Sequence, residues 1–227
     1  MDDAMAITIE YLRDEWLEYL KREIGEIHLR RHIHGELDAM LATQHCDTTF
    51  WSHYHRMYVE SQVMAIRRLS DDDSRTMSFV RFIREIGAYH HLVSRDAYVA
   101  RWVASVDHPS DVARRMANNQ YDNFTGCVGD DEISQEKLER DVATLARRSE
   151  SLRRFADQYV AHFDRDRREV QATYDDLDSA IDELCQLLKH YHLLLNQGAL
   201  MSCQPVIQGD WTEPFRQPLA EPLGSSF

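Results

Sequence analysis

The side chain best suited to chemistry near neutral pH is His162, which stands in the segment Ala-His-Phe-Asp-Arg-Asp-Arg-Arg at residues 161–168. Groups this polar are rarely buried without partners, so the segment is expected to face water, a partner chain or a phosphate. A histidine can act as base or acid near neutral pH, and an arginine supplies a fixed cation for negative charge on a phosphate. The candidate catalytic residues are His162, Arg154 and Arg165, and Arg165, Arg167 and Arg168 are candidate phosphate-binding residues.

This segment resembles the HEPN superfamily, whose members are helical domains of prokaryotic defence systems, toxin-antitoxin pairs and some RNases. The likeness is to the abortive-infection branch related to AbiU, and it covers roughly residues 5–197. The stretch from Ser70 to Ser78 resembles the turn that this branch places between its second and third helices. The resemblance implies RNA cleavage without a metal, which needs a base for the 2′-OH proton, an acid for the leaving oxygen and a cation for the charge on the phosphorane. It makes Arg165, Arg167 and Arg168 the candidate RNA-binding residues. It also implies a homodimer in which each subunit contributes half of a composite site, and it allows RNA and an antitoxin or defence-system protein as partners.

The chain departs from the family motif, Arg-x-x-x-x-His, at the arginine. Counting five residues back from His162 gives Asp157. Arg154 lies one helical turn before that position, about 4.5 Å along the axis, and Arg165 follows His162 by three residues, so either could supply the cation. An arginine beside His162 would favour an endoribonuclease. A buried, ion-paired Asp157 would favour the alternative, a catalytically inactive helical module that holds a protein or nucleotide partner.

The same segment also allows a purely structural interpretation. His162 could offset the dipole at a helix C-terminus, with residues 164–168 as a solvated bend. The net charge of −13 argues against a general nucleic-acid coat protein, although all but three of the 26 basic residues are arginine. A high genomic GC content would produce the same arginine bias.

Cysteine and histidine spacing predicts neither a metal nor another cofactor. The four cysteines contain no Cys-x-x-Cys pair, which favours free thiols over a zinc ribbon. His28 and His32 stand four residues apart, as metal ligands on one helix face do, but chance pairs are expected among twelve histidines. No Glu-x-x-His occurs, so a di-iron bundle is not expected. An acidic N-terminus and the lack of a long apolar run predict a cytoplasmic protein without a membrane span.

Helical periodicity and a single proline before residue 200 predict an all-α bundle of long antiparallel helices. The predicted early helices span Ala4–Gln44, Thr48–Leu69, Ser78–His91, Ser94–Val106 and Ser110–Asn118, with possible breaks at Gly25 and Gly35. The polar stretch Tyr121–Asp131 is predicted to be a loop.

Two later helices are the best specified. Apolar residues recur in steps of three and four from Leu138 to Phe163 and again from Tyr174 to Leu195, behind capping residues Ser134 and Thr173. The pattern predicts an antiparallel hairpin of Ser134–Asp164 and Thr173–Asn196 whose charged linker carries the candidate site.

The predicted organisation is one helical domain over residues 1–198, with the shorter helices at 94–118 and the loop at 119–133 as an insertion. Residues 199–227 form a separate, irregular tail that holds four of the five prolines. Trp211 and Phe215 in this tail are expected to pack on the bundle or on a partner.

Overall fold

A computed structural model describes residues 7–41, 48–107, 109–161 and 171–213. These residues form seven α-helices and no strand, as the periodicity predicts. The helices are α1 (Glu18–Leu41), α2 (Thr48–Leu69), α3 (Phe79–Ala88), α4 (Arg95–Ser105), α5 (Ser110–Thr125), α6 (Gln135–Phe155) and α7 (Tyr174–Asn196). Within the described ranges, no helix is both long enough and apolar enough to cross a membrane.

The hairpin of α6 and α7 is confirmed. Arg148 of α6 donates to the Ser179 hydroxyl at 2.8 Å, and further along α7 Tyr191 donates to Asp141 at 2.8 Å, so the two helices run antiparallel. Ser134 caps α6 by accepting from the amide of Lys137. A reciprocal capping box begins α7, in which Thr173 and Asp176 satisfy each other's backbone amides.

The apolar seams of this hairpin form the centre of the core. Leu145 and Leu152 of α6 and Ile181, Leu184 and Leu188 of α7 are each at most 1% exposed. Among the predicted seam residues that the structure describes, half of Tyr174 is exposed at the first turn of α7, and Val142 and Tyr159 are only partly buried. Since α7 also contacts α1, α2 and α5, the hairpin holds the bundle together.

The prediction of a loop from Tyr121 is wrong at its start, since α5 continues to Thr125. Tyr121 is fully buried and Phe124 nearly so, which gives this polar stretch an apolar face that composition alone did not reveal. Gly126 ends the helix in the left-handed conformation, with φ of 75°.

The first helix is not broken at either glycine. A π-helical segment, Tyr11–Leu17, leads directly into α1, which passes through Gly25 and Gly35. The absence of a side chain at Gly25 allows close packing, because an added Cβ would lie 3.4 Å from Cγ of Pro205 in the tail. The tail therefore passes close to the α1 backbone at this point.

The described part of the tail, residues 199–213, is irregular and packs on the bundle, as predicted. Cys203 and Thr212 are buried, and Trp211 is half-buried, whereas Phe215 lies outside the described residues. Cys203 forms a disulfide with Cys185 of α7, so the prediction of free thiols is wrong for this pair. The packing of the tail brings the two Cα atoms to 6.0 Å, a separation that a disulfide spans.

Candidate functional site

The candidate site lies where α6 ends. After Phe155 the helix widens into a π-helical turn, Ala156–Ala161, a feature that often marks functional positions. Ala156 is fully buried, while Asp157 on the next position projects to the surface with 51% of its side chain exposed. The ring of Tyr159 stacks on Phe155 with 5.2 Å between centroids and so orders this turn.

The sequence places His162 directly after this turn. His162, Arg165, Arg167 and Arg168 all lie outside the described residues. Of the predicted site residues, the structure therefore locates only Arg154 and the motif position Asp157.

An arginine from a different helix pairs with Asp157 at the motif position. Arg67, in the last turn of α2, donates its Nε–H to Oδ1 of Asp157 at 2.6 Å. About a third of the Arg67 side chain and half of the Asp157 side chain are exposed, so this ion pair faces solvent. The carboxylate that replaces the motif arginine thus holds a guanidinium from elsewhere in the chain, and it is paired but not buried.

Arg154 makes a different contact. Its Nη2 donates to Glu150 one turn earlier on α6, and both side chains are more than half exposed. This is an ordinary i,i+4 pair on a helix surface, which contributes little to stability and can exchange partners readily. Among the described contacts, none joins Arg154 to Asp157.

The turn of Ser70–Ser78 lies between α2 and α3, as the resemblance predicts, and it is ordered by its own side chains. Asp71 accepts from the amide of Asp73 at 3.1 Å, and Asp73 accepts from the amide of Arg75 at 2.9 Å. The Arg75 guanidinium on Asp73 lowers the pKa of that carboxyl. Ser78 then caps α3 through the amide of Arg81. Ser70 ties this turn to the end of α2, because its hydroxyl donates to the backbone carbonyls of Ile66 and Arg67.

Arg67 was missed in the sequence analysis, although a signal for it exists. It belongs to a pair of arginines, Arg67 and Arg68, that is separated from the recognised turn by one residue. Arg68 reaches in another direction, toward Glu23 of α1 at 3.9 Å. Only a three-dimensional structure distinguishes the arginine that meets Asp157 from its neighbour.

A second cluster of reactive side chains is buried away from this turn. His28 of α1 lies with the disulfide sulfurs of Cys185 and Cys203, and the three donor atoms are all within 4.8 Å of one another. Nδ1 of His28 contacts Nη2 of Arg31 at 3.3 Å, while its Nε2 is buried and has no hydrogen-bond partner in the described part of the chain. Burial, and then the charge of Arg31, lower the pKa of His28 to about 4, so its imidazole is neutral at neutral pH.

The histidine pair suggested by spacing does not converge. His32 lies 3.3 Å from the carboxylate of Glu36, whereas His28 turns to Arg31 and the cysteines. Another pair does meet, because Nε2 of His34 lies 2.9 Å from Nδ1 of His55, and the His34 ring stacks on Tyr58 at 3.8 Å. Burial and the neighbouring His55 lower the pKa of His34.

Comparison with known proteins gives one family. The model of the HEPN family described as AbiU2 matches residues 14–214, which is most of the chain and includes the π-helical turn and Arg67. No curated protein matches the sequence, and no solved structure matches it either.

Proposed function

Because the chain belongs to the AbiU2 family of the HEPN superfamily, we propose that it is a cytoplasmic, dimeric protein of prokaryotic anti-phage defence that acts on RNA. In this proposal it cleaves RNA without a metal, as the toxin-like half of a pair whose other half is a protein. The observation that carries the proposal is the ion pair of Arg67 and Asp157, since it holds a cation against the residue that replaces the motif arginine.

Each residue has a chemical role in this proposal. His162 exchanges the proton of the 2′-OH or of the leaving oxygen, and Arg67 stabilises the charge that builds on the phosphorane. The bond to Asp157 uses only Nε–H of Arg67, so the Nη donors can meet a phosphate while the carboxylate orients the guanidinium. Arg165, Arg167 and Arg168 bind the RNA backbone, and Arg154 is a further cation at the rim.

A homodimer is part of the proposal because Asp157 in the π-helical turn is half exposed, and a site open to solvent cannot exclude water alone. The outer face of α2 carries apolar side chains that a second copy could cover, since Phe50 and Met57 are more than half exposed. Sedimentation should give a dimer for the wild type and a shift toward monomer for Met57→Glu. A wild type that remains strictly monomeric would contradict the dimeric part of the proposal.

One observation favours a second candidate function, an inactive binding module. Both located arginines already face carboxylates, Arg67 facing Asp157 and Arg154 facing Glu150. A carboxylate next to a phosphate site repels the substrate unless its charge stays neutralised. Such a site could hold a partner protein or a nucleotide without cleaving RNA.

The deciding experiment compares purified wild type with His162→Ala, Arg67→Ala and the matched control Arg68→Ala. Arg68 lies in the same turn of α2 but faces Glu23. His162→Ala should abolish RNA cleavage, and Arg67→Ala should slow it by about 10² to 10³, the effect of removing one oxyanion donor. Arg68→Ala should cleave almost as the wild type does, and EDTA should not inhibit the disulfide-bonded protein.

Two outcomes decide against the enzyme. If the wild type binds RNA or a partner but leaves RNA intact, the binding module takes its place. If Arg67→Ala and Arg68→Ala slow cleavage equally, Arg67 is not the cation of the site.

A further inference from the structure

Three elements that are distant in sequence meet at His28, Cys185 and Cys203. His28 comes from the middle of α1, Cys185 from α7 and Cys203 from the tail. Each residue is at most 8% exposed, and the three donor atoms lie within 4.8 Å of one another. Two sulfurs and an imidazole are the ligand types that thiophilic divalent cations select.

The second observation concerns the imidazole of His28. Its Nε2 is buried and has no hydrogen-bond partner among the described residues, which is uncommon for a polar atom in a protein interior. An imidazole nitrogen without a hydrogen bond can offer its lone pair to a metal, as histidine ligands do. A ligand at Nε2 would satisfy this atom.

Packing of the tail, in addition to the disulfide, holds Cys203 near His28. The backbone of the tail lies against Gly25, where an added Cβ would be 3.5 Å from the carbonyl oxygen of Cys203. Gly25 precedes His28 by three residues and therefore shares its face of α1. When the disulfide is reduced, this packing keeps the Cys203 thiol close to both Cys185 and His28.

We propose that the reduced protein binds a thiophilic divalent cation of the Zn²⁺ class through Cys185, Cys203 and His28. A dithiol reductant supplies two electrons and two protons, its own sulfurs become a disulfide, and Cys185 and Cys203 become thiols. The cation then displaces the two thiol protons to solvent, and Nε2 of His28 donates its lone pair. Two thiolates balance the charge of the cation, so the buried site carries no net charge.

The geometry suits a tetrahedral ion. With Zn–S bonds of about 2.3 Å, two sulfurs on one ion lie about 3.8 Å apart. Cysteines whose Cα atoms are 6.0 Å apart can reach this sulfur separation by side-chain rotation. Three protein ligands leave the fourth position for water or an added thiol, as in zinc sites that are not purely structural.

Arg31 must change its contact when the cation binds. Coordination at Nε2 leaves the proton on Nδ1, which then repels the Nη2 donor that now lies 3.3 Å away. Arg31 has two other partners, Asp182 at 2.7 Å and Asp178 at 3.5 Å, that retain its guanidinium. Binding therefore requires Arg31 and the two cysteine side chains to move, but it requires no rearrangement of a helix.

The test uses the full chain, reduced with a phosphine and freed of excess reductant, and Co²⁺ as a spectroscopic substitute for Zn²⁺. The reduced wild type should bind one Co²⁺ per chain with thiolate charge-transfer absorption, and Zn²⁺ should displace it. Cys185→Ser and Cys203→Ser should lose the absorption, and His28→Ala should weaken binding about tenfold or more. The matched control is Cys127→Ser, because Cys127 is the exposed free cysteine of the described residues.

A second measurement needs no variant and so does not depend on variant folding. Zn²⁺ should protect Cys185 and Cys203 of the reduced wild type from alkylation, while Cys127 remains reactive. Absence of the thiolate absorption from the reduced wild type, or equal binding by wild type and a folded His28→Ala, would overturn the proposal. The RNA experiment does not involve these residues, so the two proposals can fail independently.

Discussion

The turn that ends α6 and the cluster beneath the tail place different reactive side chains in opposite surroundings. At the turn, Arg67 and Asp157 meet with a third to half of their surface in water. In the cluster, His28, Cys185 and Cys203 are almost fully buried. Solvent screens the first pair, so its value lies in the donors it can offer to a ligand. Burial amplifies every interaction in the second, so its chemistry is coupled to the stability of the fold.

The largest expected effect on stability comes from the buried cluster. Replacing both Cys185 and Cys203 with serine removes a cross-link between residues 18 apart in sequence. The loss of this constraint on the unfolded chain should lower the free energy of unfolding by about 3 kcal/mol. Urea denaturation of the oxidised wild type and the double variant, without added metal, measures this effect.

Cys127→Ser is the control for that measurement and should leave the urea midpoint almost unchanged, since Cys127 is exposed. If the double variant and the oxidised wild type unfold at the same urea concentration, the two cysteines do not cross-link the chain in solution.

A smaller effect is expected from pH. Burial, and then the charge of Lys137, lower the pKa of His190 to about 4, while the pKa of an unfolded histidine is about 6.5. The unfolded state therefore binds the proton first as pH falls, so this histidine destabilises the fold progressively from about pH 6.5 down to about pH 4. Between pH 7 and pH 5 the wild type should lose about 1 to 2 kcal/mol more stability than His190→Gln.

Denaturation of both proteins at several pH values measures this difference, and the titration of carboxylates is common to both. Parallel curves for wild type and His190→Gln would show that His190 is protonated as readily in the folded state as in the unfolded state. Burial would then not couple the protonation of His190 to the stability of the fold.

The sequence predicts most of the fold but little of the second cluster. The seams of α6 and α7 and the caps Ser134 and Thr173 are local patterns, and they locate the hairpin correctly. The α5 boundary was misplaced because burial of Tyr121 depends on the helices around it. The convergence of His28 with Cys185 cannot be read from spacing, since the two residues are joined only by tertiary packing.

The sequence likewise predicts only part of the candidate site. The motif locates the turn at Asp157, because a motif is a local feature of sequence. The partner of Asp157 comes from α2, ninety residues earlier in the chain. A rule based on helical spacing searches one helix only, and so it proposed Arg154, which pairs with Glu150.

The smallest effect on stability is expected at the exposed pair. Arg67→Ala, Asp157→Ala and their combination form a double-mutant cycle for a solvent-exposed ion pair. Such pairs typically contribute about 0.2 to 1 kcal/mol, so the coupling energy should fall in that range. Chemical denaturation measures it, and a coupling well above that range would mean that the pair is shielded from water, as the inactive module requires.

Function should respond to this pair far more than stability does, and a charge exchange separates the two contributions. Asp157→Arg alone places two guanidinium groups together, so Arg67 should be displaced and RNA cleavage should fall. The exchanged protein, Arg67→Asp with Asp157→Arg, restores the ion pair and puts an arginine on α6 at the motif position itself. If the site needs only a cation held by a carboxylate, the exchanged protein should regain most of the cleavage rate. Equal loss in the single and exchanged proteins would mean that Arg67 must act from α2, which would tie activity to the turn that fixes the end of that helix.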